Sequence, residues 1–216
     1  MPPEPRHVWY AAYGSNMLPD RLGYYLRGGR PPGGRRTYPG CRDGSDPAAV
    51  AALRIRGGLY FAGESRAWTG GMAFLDDRLP DRTPAAAYLL TTGQFADVAA
   101  QEMYQEPGTD LPLGEVLATG RSRLGPGRYE TLVRVGDRDG LPVLTFTAPW
   151  RAHERPWSRP AAAYLGMIAA GLARTHRWPL GRIVDHLAGL RGVRGRWPLP
   201  DLRATLTARL RPADPA

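Results

Sequence analysis

Between His7 and Asn16 the chain reads HVWYAAYGSN, and this stretch constrains the fold more than any other. His7 to Tyr13 concentrates aromatic and small apolar residues, the composition of a strand inside a buried sheet. Gly14, Ser15 and Asn16 end it, and Met17-Leu18-Pro19-Asp20-Arg21-Leu22 opens a helical pattern. A strand that turns at once into a helix leaves backbone N–H groups without partners, and these can face a carboxylate or a developing oxyanion. A second reading is purely local: Ser15 or Asn16 caps the helix that follows.

The rest of the chain can bury such a strand. Its 216 residues, 43% of them hydrophobic and six of them Trp, suit one domain with a proper core, or a domain with extensions. No apolar run approaches the roughly 20 residues of a membrane helix, and the opening MPPEPRH lacks the apolar segment of a signal peptide. A single cysteine, Cys41, excludes an internal disulfide framework and fits a cytoplasmic setting. The net charge of +9 raises the question of nucleic acid. Yet all 29 basic residues are Arg, scattered apart from modest clusters at Arg27–Arg36 and Arg191–Arg196, with no interleaved aromatics. That pattern reads as coding bias, and neither a nucleic-acid nor a membrane partner is expected.

After the opening strand, Leu18 to Arg27 forms a short helix. Gly28 to Pro47 is a Gly/Pro/Arg-rich loop of the kind that serves as a lid or flap, or stays disordered. It holds Cys41, which has Arg42 beside it but no nearby His, so an inert thiol is expected. Short apolar runs at Leu59–Ala62, Met72–Leu75 and Ala86–Leu90 read as strands, with a bend or bulge at Gly70-Gly71 after Trp68. Thr91 or Thr92 caps a helix over Gln94 to Gln105. Tyr129–Val135 and Pro142–Thr147 read as strands joined across Asp137–Gly140. A Pro/Trp/Arg-rich loop from Ala148 to Pro160 precedes helices at Ala161–Arg174, Leu180–Leu190 and Asp201–Leu210, and the terminal PADPA reads as disordered. The expected fold is α+β: a mixed sheet, open or closed, with helices at its side and at its C-terminal end.

Chemistry has few places to sit. The four histidines, His7, His153, His176 and His186, form no paired motif, and there is no CxxC, so no metal site is expected. No P-loop, dinucleotide fingerprint or GxSxG elbow occurs. Glu102 is different: Ala99, Val98 and Phe95 lie three, four and seven residues before it, so it continues their apolar face. A carboxylate on such a face is costly unless paired or functional, and burial moves a carboxyl pKa towards general-base work. The competing reading sets Glu102 at the rim of that face, in water or paired with an Arg.

Taken together, three segments resemble the γ-glutamylcyclotransferase-like superfamily. Tyr13-Gly14-Ser15-Asn16 matches its opening YGSN motif, Gln101-Glu102 its catalytic-acid helix, and Pro160 to Tyr164 with Ile168 and Gly171 its PSxxYxxxIxxG helix. The resemblance runs over roughly residues 8 to 190. It implies a small mixed β-barrel with flanking helices over 7–190, after a disordered 1–6 and before a helical extension and tail at 191–216. It also implies an enzyme of carbon–nitrogen lyase type that cyclises a γ-glutamyl amide to 5-oxoproline and releases an amine, without metal or organic cofactor; an acyl hydrolase or transferase of the same fold and a non-catalytic protein that binds a small ligand are the alternative readings. Glu102 is then the general base and acid, and Tyr13, Gly14, Ser15, Asn16, Phe146 and Tyr164 bind the substrate. Three positions depart from the family pattern: Met103 replaces a Gly after the acid, Ala161 replaces the Ser of PSxxY, and Phe146 stands where a pocket Tyr is usual. These changes, with the Gly28–Pro47 and Trp150–Trp157 loops, bear on which substrate is taken.

Overall fold

The computed structural model describes residues 5–31, 36–65 and 69–210. Most of the N-terminal segment expected to be disordered, the PADPA tail and Trp68 lie outside these residues. The order of elements is β1 (His7–Ala12), a 3-10 turn (Ser15–Met17), α1 (Pro19–Arg27), β2 (Ala49–Arg56), β3 (Gly58–Ala62), β4 (Met72–Asp76), β5 (Arg82–Thr91) and α2 (Thr92–Glu102). There follow α3 (Gly114–Thr119), β6 (Arg121–Arg123), β7 (Thr131–Arg138), β8 (Leu141–Thr147), α4 (Ala162–His176), α5 (Leu180–Gly189) and α6 (Leu199–Leu210).

Six strands make one mixed sheet in the order β2-β5-β1-β8-β7-β6. β1 lies at its centre, antiparallel to β5 along its whole length and parallel to β8 at Trp9↔Val143 and Tyr10↔Leu144. That position is why all but the first residue of β1 is buried, and why its sequence is a continuous apolar run rather than an alternation. Among the described residues the strands do not close into the expected barrel. β2 and β6 are the two edges, and β3 and β4 form a separate two-stranded sheet. The β3–β4 hairpin approaches β8 through a side chain: Thr147 Oγ1 accepts from Leu75 N at 3.0 Å and donates to Leu75 O at 2.8 Å. A side chain thus takes up the backbone groups that a closing ladder would need.

Helix α2 begins with a capping box. Thr91 Oγ1 accepts from Gln94 N and the Gln94 side chain accepts from Thr91 N, both at 3.1 Å, so Thr91 is the cap. The helix is shorter than its apolar pattern predicts and stops at Glu102. Tyr104 takes a left-handed φ of 61°, Tyr104 N returns to Gln101 O and Gln105 N to Ala100 O. This is a Schellman end with a tyrosine where glycine is usual, so Glu102 closes the helix rather than sitting in its middle. The Gly28–Pro47 loop, where described, packs against α1 and α2. Gly29 and Tyr38 exchange backbone hydrogen bonds, and Gln94 Nε2 donates to Asp43 O and Ser45 O. Helix α4 crosses the 3-10 turn so closely that a Cβ on Gly171 would lie 2.8 Å from Met17 Cβ. β2, α3 and β6 carry no expectation in the sequence.

Candidate active site

The turn after β1 does not cap either helix. Gly14 begins the 3-10 turn and Leu18 begins α1, and neither start has a side-chain cap bond. The Asn16 amide points elsewhere: its Nδ2 donates to Glu102 Oε1 at 2.9 Å and lies 3.4 Å from the Tyr10 hydroxyl. The stretch and the acid, 86 residues apart in sequence, thus meet at one hydrogen bond. They meet because β1 and β5 are sheet neighbours and α2 starts where β5 ends, which carries Glu102 back to the turn that leaves β1. Glu102 is half-buried and, among the described residues, forms no ion pair with an Arg. Of the two readings of this residue, the rim holds for its exposure, but its partner is the Asn16 amide.

One pocket takes in all seven residues named from the sequence: Tyr13, Gly14, Ser15, Asn16, Glu102, Phe146 and Tyr164. Tyr13 Oη donates to Phe146 O at 2.8 Å, which fixes that ring against the sheet. Phe146 stacks on Tyr10 with centroids 5.2 Å apart. The Tyr164 hydroxyl accepts from Ala73 N at 3.4 Å, and a Cβ on Gly14 would come within 3.1 Å of it. A side chain at position 14 would therefore crowd the tyrosine hydroxyl that α4 presents to this backbone. Tyr88, one strand away, donates towards Asn16 O and Met17 O, both at 3.0 Å, and holds the turn from below.

The pocket also holds residues the sequence did not single out. Arg21 is buried, its guanidinium 4.9 Å from the Tyr25 ring centroid and 4.5 Å from that of Tyr38, and it donates to both hydroxyls. Arg21 and Tyr25 are four apart on the buried face of α1, a spacing that could have flagged the pair. Arg36 donates to Gln101 O at 2.8 Å and lies over the rings of Tyr38 and Tyr104, while Arg128 adds a third guanidinium to the lining. Tyr129 packs edge-on to Phe146, its hydroxyl donating to Ala73 O at 2.9 Å. Trp150 and Trp157 do not line this pocket.

Burial first, then the charge of Glu102, pushes the Tyr10 and Tyr25 hydroxyls well up, and burial does the same for Tyr13, Tyr129 and Tyr164. All five are protonated donors at neutral pH. Burial works against the charge of Arg21, but Tyr25, Tyr38 and Glu102 more than offset it, and Arg21 stays cationic. Cys41 is outside the site. Burial, then the charges of Asp97 and Asp43, pushes its thiol up to about 12, and its Sγ donates to Tyr25 O. Chemically, the described lining presents one carboxylate, an amide held against it, the backbone of a Gly-Ser-Asn turn whose Ser15 unit faces the Tyr164 hydroxyl, further tyrosine hydroxyls and a positive wall. No group of three or more His, Cys, Asp or Glu side chains among the described residues is placed to hold a metal ion, and no described helix is long and apolar enough to cross a membrane.

No family model matches the chain. A curated relative, histone deacetylase 5 of Arabidopsis thaliana, is 31% identical in an alignment of 188 positions that covers 79% of this chain but only 28% of that protein. The chain thus spans little more than a quarter of that relative's length. Among solved structures, a γ-glutamyl cyclotransferase superposes with a TM-score of 0.52 at 15% identity, covering 92% of this chain and 98% of that one. An uncharacterized protein of Homo sapiens gives 0.51 at 17% identity, over 87% and 89% of the two chains. At these identities the likeness is one of fold: a mixed sheet with flanking helices, shared with a γ-glutamyl cyclotransferase.

Proposed function

We propose that this chain is a γ-glutamylcyclotransferase-like enzyme, with its catalytic unit over 7–190, and that it converts a γ-glutamyl amide to 5-oxoproline and a free amine. The observation that carries this reading is the 2.9 Å hydrogen bond between Asn16 Nδ2 and Glu102 Oε1. It sets a carboxylate beside a turn whose backbone donors can hold an oxyanion, as one carbonyl undergoing attack requires. The fold shared with a γ-glutamyl cyclotransferase supports it. The deacetylase named in the curated match shares only a fraction of its length with this chain, and its activity is not carried over.

In this reading the glutamyl group binds folded, with its α-ammonium at Glu102 and its α-carboxylate towards the arginine wall. Glu102 removes a proton from the ammonium, and the uncovered amine attacks the substrate's own γ-carbonyl. The C–N bond of a five-membered lactam forms, and the negative charge on the former carbonyl oxygen falls to backbone N–H groups of Gly14, Ser15 and Asn16. Glu102 then returns that proton to the departing nitrogen as the carbonyl re-forms and the old C–N bond breaks, takes the second proton from the ring nitrogen and passes it to the freed amine, which leaves as an ammonium, and no water is consumed. Because the attack is intramolecular, holding the chain bent is itself a large share of the rate. Tyr13, Phe146 and Tyr164 shape that bend.

The test is a panel of γ-glutamyl amines and dipeptides with mass-spectrometric detection of 5-oxoproline. The wild type is expected to release it from at least one member. Glu102→Gln, which keeps a hydrogen-bonding side chain but no base, is expected to lose about 10²–10⁴-fold in kcat. Free glutamate as the product would mean hydrolysis instead, and a folded wild type silent on the whole panel would sink the cyclotransferase reading.

A further inference from the structure

A second cleft shares no lining residue with the pocket above. It lies where the start of β5, the end of β2 and the end of α5 meet, and its walls carry Arg54, Arg82, Arg191 and Arg194 against Asp81 and Asp185. The sheet register concentrates the positive charge. Arg56 on β2 is paired directly with Arg82 on β5, and Arg54, two residues before Arg56, projects from the same face. Arg56 itself lines the neighbouring cleft with Asp77 and Arg78, so Arg54 and Arg82 are the strand arginines that face this one.

The four cleft arginines are not equivalent. Arg191 is bound to Asp81 at 2.8 Å, and its carbonyl accepts from Phe61 N at 2.9 Å, which fixes it as wall. Arg54 donates through Nη2 to Arg82 O at 3.2 Å, which ties its head to β5. Among the described residues no carboxylate lies within ion-pair distance of Arg54, Arg82 or Arg194, and all three are exposed. Leu59 and the ring of Trp157, whose Nε1 is already committed to Ala152 O, give the cleft an apolar side where charge interactions are less screened.

His186 reports the local field. It lines the cleft from α5, and its buried Nε2 has no partner among the described residues. Burial first, then Arg54 on β2, His176 on α4 and Arg182 on α5 itself, push its pKa down to about 4, while Asp185 precedes it on the same helix.

We propose that this cleft binds a small phosphorylated ligand, its phosphate held by the guanidinium groups of Arg54, Arg82 and Arg194. Three guanidinium groups offer parallel N–H pairs to several oxygens of one dianion, a match that phosphate makes better than a single carboxylate. The proposal does not rest on the cyclotransferase reading.

The experiment is calorimetric titration of the full chain with inorganic phosphate and with pyrophosphate at pH 7 and low ionic strength. One saturable site is expected, weakened about ten-fold or more in R82Q/R194Q and unchanged in Arg36→Gln, which alters the other pocket. By NMR, His186 is expected to titrate at higher pH with pyrophosphate bound, because the anion offsets the field of Arg54. Circular dichroism of the double variant separates loss of the site from loss of the fold. Three outcomes would overturn the proposal: binding unaffected by R82Q/R194Q in a folded protein, binding lost in Arg36→Gln, or binding of RNA with no response to either small phosphate.

Discussion

Asn16 is the residue on which the proposed chemistry turns, because its amide spans the gap between the Gly14–Met17 turn and Glu102. If it positions the carboxylate, Asn16→Leu is expected to lower kcat by about 10–10²-fold with a smaller change in KM, since orientation rather than binding is lost. Asn16→Asp sets a second carboxyl where the donor was. Two carboxylates at that separation share a proton, which raises an apparent pKa of the pair. The acid limb of the kcat/KM profile is therefore expected to move to higher pH than in the wild type, and an unmoved limb would show that Asn16 does not act on Glu102. The sequence made Asn16 and Glu102 separate candidates. Their contact was not legible, because it depends on where β5 delivers α2.

At the scale of elements, the closest approach is between α4 and the 3-10 turn. Gly171 lets the helix pass Met17 with no side chain between them, and a Cβ there would lie 2.8 Å from Met17 Cβ and 2.9 Å from its carbonyl carbon. Alanine adds about 1 kcal/mol of helix propensity, but overpacking against backbone costs about 1–3 kcal/mol. Gly171→Ala is expected to lower Tm by a few degrees and, since Met17 follows Asn16, to lower kcat with it; a raised Tm with full activity would contradict this packing. Elements with strong local chemistry were legible in the sequence: the threonine cap of α2, the apolar period of α4, the β7–β8 hairpin. β2 was not, because AVAALRIR mixes Ala into both faces and its alternation of exposure appears only once β5 covers one side. The end of α2 was misplaced because nothing in Met103-Tyr104-Gln105 announces a left-handed tyrosine.

Across the whole molecule, the charge balance shapes the acid response. His186 is held at about 4, below the ordinary histidine value, and burial also lowers His176. A group whose folded pKa is depressed contributes stability above its unfolded pKa and loses it as pH falls towards the folded value. Stability is therefore expected to fall between about pH 6.5 and pH 4, with His186 contributing up to about 3 kcal/mol of the loss. Urea midpoints at pH 7 and pH 5 check this: the wild type is expected to lose more than His186→Gln over that interval, and equal losses would count against the buried neutral imidazole.

The burial of β1, the Gly-Ser-Asn turn that ends it and the apolar helix pattern around Glu102 can be read locally, because composition, period and turn chemistry act over a few neighbouring residues. The open edges of the described sheet, the cage of Tyr25 and Tyr38 around Arg21, and the contact of the Asn16 amide with the Glu102 carboxylate come instead from the folded chain. Those outcomes depend on which strands pair and on which helices close over them, and such long-range contacts are set by the burial of the whole core rather than by any local run of residues.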